Sequence, residues 1–153
     1  MEVRMTRDHE LVANLNKPVH DLHVKLYPEF FKDYDLDCMK TVFQGLMEKE
    51  NNQFLLLMDE GEPIGYAWIE VRNCPENIFK KGYTSLYVHQ ISILESHRKK
   101  GGGVFLMKNI YKMAKSKEVD LIELDYWTDN EVAKRFYTKE GFKVNRAFLY
   151  KRI

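Results

Sequence analysis

The spacing of apolar residues changes from helical to strand-like and back along the chain, and those changes outline its elements. Glu2 to Met5 reads as a short first strand. Leu11, Leu15, Val19, Leu22 and Leu26 then recur every three or four residues, the stripe of an amphipathic helix. Pro18 interrupts the stripe. Because proline is best tolerated in a first turn, the pattern predicts a broken or kinked helix pair, with Asn16 capping a second segment that runs to about Tyr27. A loop dense in aromatics and acids, "YPEFFKDYDLD", leads to a second helix. Its apolar face is Cys38, Met39, Val42, Phe43, Leu46 and Met47, and Asp35 or Asp37 stands where it can cap the first turn.

The period then drops to that of strands. "QFLLLM" and "PIGYAWIEV" flank "DEGE", which predicts a β-hairpin from about Gln53 to Val71 with a glycine in its turn. After a polar loop, Ser85 to Leu94 is another β-rich run. Phe105, Leu106, Ile110 and Met113 share one side of a third helix, and "DLIELDYW" from Asp120 to Trp127 is strand-like again. "NEVAKRFYTKE" from Asn130 reads as a fourth helix with Gly141 as its C-cap, and "FKVNRAFLYKRI" as a last strand. The predicted order is β, α, α, β, β, β, α, β, α, β. No repeat or linker interrupts it, so a single domain over residues 1–153 is expected.

Composition narrows the classes of function. With 24 basic against 23 acidic residues the net charge is +1, which advertises neither a nucleic acid nor a membrane partner. The N-terminus has no apolar leader region, and the run "FLLLM" is far too short to span a bilayer, so a soluble, cytoplasmic protein is expected. Cys38 and Cys74 have no metal-ligand spacing and are expected to be free thiols, with no metal site.

The stretch "SHRKKGGGVFLMKNIYKMAK" carries the first chemical signal. A strand that enters a glycine-rich turn and then a helix offers unpaired N–H groups and a positive dipole end to an anion, and Arg98, Lys99 and Lys100 add charge at its mouth. The GxxxxGK[ST] loop is absent, and GxGxxG fails at Leu106, so the two common nucleotide fingerprints drop out. The pattern that remains is RxxGxG, from Arg98 through Gly101 to Gly103. Its plain alternative is a flexible basic turn.

Downstream, Asn130, Ala133, Phe136, Tyr137, Gly141 and Phe142 form NxxAxxFYxxxGF, in which Ala133, Phe136 and Tyr137 share one helix face. Together with RxxGxG about one strand upstream, this resembles the GNAT superfamily of N-acetyltransferases, most closely from about Leu86 to Phe142. The resemblance implies a mixed α/β domain: a central, mostly antiparallel sheet with a splayed parallel strand pair, flanked by about four helices. It implies acetyl-CoA as cofactor, with pantetheine held by the main chain of Ile91, Ser92 and Ile93. The pyrophosphate would lie on Arg98, Lys99, Lys100, Gly101, Gly102, Gly103 and Val104, with Asn130 touching the cofactor arm. The pattern asks only for Gly101 and Gly103, so Gly102→Ala is expected to be tolerated. Glu95 stands where many members have proline and Lys99 where many have glycine, and the last β region ends 11 residues past Phe142, shorter than the final hairpin of many members.

Amide formation from a thioester needs a neutral amine, and an alkyl ammonium has a pKa of about 10.4 by analogy with lysine, so the site must take up a proton. Tyr137 matches the family's tyrosine that protonates the departing sulfur. His89 is the first candidate for the base by its ordinary pKa. Gln90, Glu70, Glu123, Asp125 or a water chain are the alternatives, and strand alternation lets only one of each adjacent pair face the cleft. The loop between the first two helices is where many members wall the acceptor. Here Tyr27, Phe30, Phe31 and Tyr34, with Glu29, Asp33, Asp35 and Asp37, would suit a cationic amine. The expected activity is direct acetyl transfer to a primary amine of a small molecule or peptide. A catalytically weak acyl-CoA sensor is the alternative, nucleic-acid binding through Arg98 to Lys100 is disfavoured, and a homodimer stays open.

Overall fold

The run Phe54 to Met58 is apolar at every position because its strand is covered on both faces. A computed structural model of the chain describes residues 1–153. The elements are β1 (Glu2–Met5), α1 (His9–Leu26), α2 (Leu36–Met47), β2 (Asn52–Asp59), β3 (Glu62–Cys74), β4 (Tyr83–Ile93), α3 (Gly102–Ser116), β5 (Ile122–Leu124) and α4 (Glu131–Lys139), with a single 3-10 turn at Glu95–His97. The strands form one sheet in the order β1-β2-β3-β4-β5, antiparallel except for β4 and β5, which are parallel.

Strand alternation sorts β2 between two cores. Leu55 and Leu57 join Ile69, Leu86, Val88, Leu106, Met107 and Ile110 beneath α3. Phe54, Leu56 and Met58 join Val12, Leu15, Phe43, Met47 and Tyr66 beneath α1 and α2. Each fully buried side chain of this size stabilises the fold by roughly 1.5–3 kcal/mol. Helices are thus packed on both faces of the sheet, which is the mixed α/β architecture the resemblance implies.

Three local expectations are corrected. The stripe interrupted by Pro18 is one continuous helix, α1, capped by Asp8, whose side chain accepts from the Leu11 N–H at 2.9 Å. A mid-helix proline removes one backbone bond, and burial of Val12, Ala13, Leu15 and Asn16 holds the helix across it. Asn16 is therefore not a cap. It lies buried, with its Nδ2 donating to the Tyr66 hydroxyl at 2.8 Å. On α2, Asp35 is the cap, and Cys38 and Val42 face solvent, so the buried side is Met39, Phe43, Leu46 and Met47. The predicted last strand is absent: after Phe142, whose N–H donates to the Tyr137 carbonyl, residues 143–153 enter no strand. A strand needs backbone partners, and residues 143–153 make no backbone hydrogen bond to the outer edge of β5 or to any other element.

Candidate active site

The parallel pair β4 and β5 is joined only over Leu86–Val88 and Ile122–Leu124. Beyond Val88, β4 continues to Ile93 bonded to β3 alone, while the chain after Leu124 turns away towards α4. The two strands therefore part, and the β5-facing main chain of Ile91, Ser92 and Ile93 borders the opening. Their side chains are used elsewhere. Ile91 and Ile93 pack on the α3 core, and the Ser92 hydroxyl donates to the Leu15 carbonyl at 2.7 Å. Only backbone donors and acceptors are left for a ligand there.

At the end of β4 the three consecutive glycines each have a separate cause. Gly101 caps α3 with φ +86°, a conformation that costs a residue with a Cβ about 1–2 kcal/mol. Gly102 is buried, and a Cβ on it would stand 2.8 Å from Leu57 Cδ2 and 3.1 Å from Ile93 Cδ1. A Cβ on Gly103 would stand 3.1 Å from Phe136 Cζ on α4. The expected tolerance of Gly102→Ala is thus corrected: the position is where α3 seats on the sheet. We predict that Gly102→Ala lowers stability by about 1–3 kcal/mol, read from chemical denaturation, since the Leu57 side chain it would press on is fully buried. Lys99, where many family members carry glycine, has φ +62° and so occupies glycine-favoured backbone.

The first intrahelical bond of α3 is Phe105 N–H to Gly101 O at 2.9 Å, so the amides of Gly102, Gly103 and Val104 have no helical acceptor. Arg98, Lys99 and Lys100 are exposed beside them. Arg98 is steered back by its Nε, which donates to the Ile93 carbonyl at 3.1 Å, leaving the two terminal nitrogens of the guanidinium for an anion. Donors, cationic side chains and the positive end of a helix dipole converge on one corner of the opening.

Across the opening, α4 is capped by Asn130, whose Oδ1 accepts from the Ala133 N–H at 3.0 Å. This fixes the helix so that Phe136 fills the space under Gly103 and Tyr137 lies between Tyr126 and Phe142, with ring centroids 6.2 and 5.6 Å away. Burial, reinforced by the Asp125 carboxylate, pushes the Tyr137 phenol well above the ordinary tyrosine range. The group is a proton donor at every physiological pH.

His89 faces the other side of the sheet. Trp68 pairs with Gln90 and Ile69 with Val88, so His89 is the extra residue of a β-bulge. The bulge puts His89 and Gln90 on the same face, which corrects the expectation that only one of the two could face the cleft. Gln90 is then removed from candidacy, because its Oε1 accepts from the Asn16 Nδ2 and from the Tyr66 hydroxyl. His89 stacks on Trp68 with centroids 3.9 Å apart, and its Nε2 lies 2.7 Å from Glu70 Oε2. A carboxylate can only accept, so Nε2 carries the proton and Nδ1 keeps its lone pair. Burial lowers the imidazole pKa below 6.5, outweighing the opposing pull of Glu70. Glu70 responds in turn: burial would raise its pKa, and hydrogen bonds from His89 and Arg72 bring it below the ordinary value. Asp125, just past β5, accepts from the Tyr87 hydroxyl, and its charge favours the protonated form of both His89 and Tyr137. Glu123 sits earlier, 3.5 Å from the Tyr83 hydroxyl.

Tyr27, Phe30 and Phe31 converge on Trp127, with ring centroids 4.5, 5.8 and 5.0 Å away. The Tyr27 hydroxyl accepts from the Asp129 N–H at 2.9 Å, which ties the loop after α1 to the chain after β5. Sequence reasoning reads Trp127 only as the end of a strand-like run, not as the hub of this cluster. Its partners lie about a hundred positions away, and no periodic signal links them. Of the acids in the loop, Asp35 is consumed as the α2 cap and Glu29 pairs with Arg152 at 2.7 Å. Tyr34 is turned inward, donating to the Ala13 carbonyl. No group of three His, Cys, Asp or Glu side chains is arranged to hold a metal ion, and no helix is long and apolar enough to cross a membrane.

The chain is similar to several known proteins. An uncharacterized N-acetyltransferase of Methanocaldococcus jannaschii is 25% identical over 138 residues, 86% of this chain, and the chain spans 60% of that relative's length. The solved structure of a tetramutant of the BH1408 protein of Bacillus halodurans matches with a TM-score of 0.93 at 28% identity, covering 100% of both chains. An aminoglycoside N-acetyltransferase solved in complex with CoA shares the fold, with a TM-score of 0.71 at 15% identity over 99% of this chain and 93% of that one. The profile of the acetyltransferase (GNAT) family matches residues 16–142, both sides of the strand opening included, and the chain therefore belongs to the GNAT family.

Proposed function

We propose that this chain, as a single domain, transfers the acetyl group of acetyl-CoA directly to a primary amine carried by a cationic small molecule or peptide. The observation that carries this reading is the parting of β4 and β5 beyond Val88, which connects the α3 amide corner and Tyr137 on one face with His89 and the aromatic loop on the other. A pyrophosphate needs several donors and positive charge, and the free amides of Gly102, Gly103 and Val104 with Arg98, Lys99 and Lys100 suit it. An amide-bearing pantetheine arm suits the main chain of Ile91 to Ile93, where β4 has parted from β5. When bound, acetyl-CoA supplies an activated acetyl thioester.

The chain's own residues then have these roles. His89 Nδ1 accepts the proton that the amine gives up, and Glu70 holds the ring in the tautomer that leaves Nδ1 free. Tyr137 donates its phenolic proton to the departing sulfur, and Asn130 keeps α4 in register for it. Direct transfer is supported by the thiols: Cys38 lies exposed at the start of α2, and Cys74 pairs with Tyr83 at the far end of β3, so neither stands ready as an acyl carrier.

The acceptor's class follows from the aromatic loop. Arg152, the chain's own cation, stands with its guanidinium 5.7 Å from the Phe30 ring centroid and 2.7 Å from Glu29, the contacts a cationic amine would use. We predict that thiol release with a panel of amines favours diamines and basic peptides over neutral or acidic acceptors. Trp127→Ala is expected to raise KM for them about tenfold, or about 1.4 kcal/mol. Preference for acidic acceptors removes the cationic class. CoA binding without thiol release for any amine identifies an acyl-CoA sensor instead.

A further inference from the structure

Asn16, Tyr66 and Gln90 form a closed hydrogen-bonded triangle between α1, β3 and β4, on the face of the sheet that carries His89. Asn16 Nδ2 donates to the Tyr66 hydroxyl at 2.8 Å and to Gln90 Oε1 at 2.5 Å, and the Tyr66 hydroxyl in turn donates to Gln90 Oε1. Burial raises the Tyr66 phenol far above neutral pH, so its proton is always there to give. Two donors that meet at one atom require it to be the amide oxygen, and they leave Gln90 Nε2 with both of its hydrogens unspent. That nitrogen makes no hydrogen bond within the chain and, unlike Asn16 Oδ1, it is not sealed from solvent.

The side on which Nε2 is open follows from its neighbours. Tyr66 closes the β3 side and Asn16 the α1 side, while on the remaining side β5 has already parted from β4. Nε2 therefore borders the opening, and the bulge sets it beside the imidazole, on the next residue of the same face. Holding the amide this way has a cost. Asn16 commits both Nδ2 hydrogens to the triangle and keeps Oδ1 buried without a partner, which packing alone does not require.

We infer that Gln90 is a specificity-determining residue whose Nε2 donates to a carbonyl oxygen of the acceptor, one that shares a carbon with the reacting amine as in an amino-acid amide or a peptide N-terminus. This role rests on the acetyl transfer proposed above and names its acceptor class. Consecutive residues stand about 3.8 Å apart at Cα, a spacing that suits an α-nitrogen at His89 Nδ1 and its carbonyl oxygen at Gln90 Nε2. A plain diamine gives Nε2 nothing to donate to, and a site donor left unpaired is what separates one acceptor from another.

Lysinamide tests this within one molecule, because its α-amine lies beside a carbonyl and its ε-amine does not. With acetyl-CoA, the wild-type chain is expected to give mainly the α-acetyl product, identified by NMR. Gln90→Glu keeps an oxygen for Asn16 and Tyr66 but removes the donor, and Gln90→Met removes it without adding charge. In both, the α-to-ε product ratio is expected to fall about tenfold. The differing basicity of the two amines cancels when variants are compared. Mainly ε product from the wild type overturns the inference. So does a ratio that neither variant moves, the result if Gln90 only supports the core or serves the thioester oxygen. Should Gln90→Met fail to fold, Gln90→Glu decides, and the wild-type product stands as a test by itself. Refusal of lysinamide by a chain that acetylates other amines overturns the inference alone, whereas refusal of every amine overturns the acetyl-transfer reading and this role with it.

Discussion

Tyr137→Phe is expected to lower kcat on the order of 100-fold while leaving CoA affinity nearly unchanged. The ring would stay packed between Tyr126 and Phe142, which hold it by its faces and edges and not through its hydroxyl. Only the proton donor is removed. Because burial and the Asp125 carboxylate raise the phenol far above neutral pH, its ionisation should contribute no alkaline limb to the wild-type profile. Steady-state rates with a good amine, beside calorimetric CoA binding, check both parts. Equal turnover by the variant would take Tyr137 out of the acid role. A parallel loss of CoA affinity would make it a packing residue.

His89→Gln should lower kcat/KM by a similar factor near neutral pH and remove one limb of the pH profile. The sign follows from the environment. Burial lowers the His89 pKa below 6.5, so the neutral, proton-accepting imidazole persists to more acidic pH than for a free histidine, and activity falls only as pH drops through that lowered value. Glu70 pulls the other way, so Glu70→Gln should move the acid limb to still lower pH while releasing the ring from its tautomer. A purely structural His89 would lose stability on substitution without changing the shape of the profile. A water-chain base would leave the limb of His89→Gln where it was.

Much of this site is legible in the sequence because its parts are local. The turn from β4 into α3 needs a left-handed residue at Gly101 and free amides in the next three residues, and both are consequences of a few consecutive dihedrals. Asn130 and Asp35 announce caps for the same reason, since a side chain three residues ahead of an amide can reach it. The β2–β3 hairpin and the apolar stripes of α1 and α3 follow from period alone. Pro18 misleads because the local rule is outweighed by side chains buried against a sheet more than thirty positions away.

By itself the sequence determined the order of the elements up to α4, the strand–glycine–helix corner with its basic residues, the capped helix that carries Tyr137, and through these the family. Only the tertiary structure decided the rest. The bulge that turns His89 towards Glu70 depends on how β4 pairs with β3, and the need for glycine at 102 depends on Leu57 and Ile93 arriving from other strands. Trp127 becomes the centre of the aromatic cluster because two segments a hundred residues apart meet there. The segment after Phe142 reads as a strand, but strand formation also requires backbone partners, and whether it meets them is a fact of packing rather than of the segment's own residues.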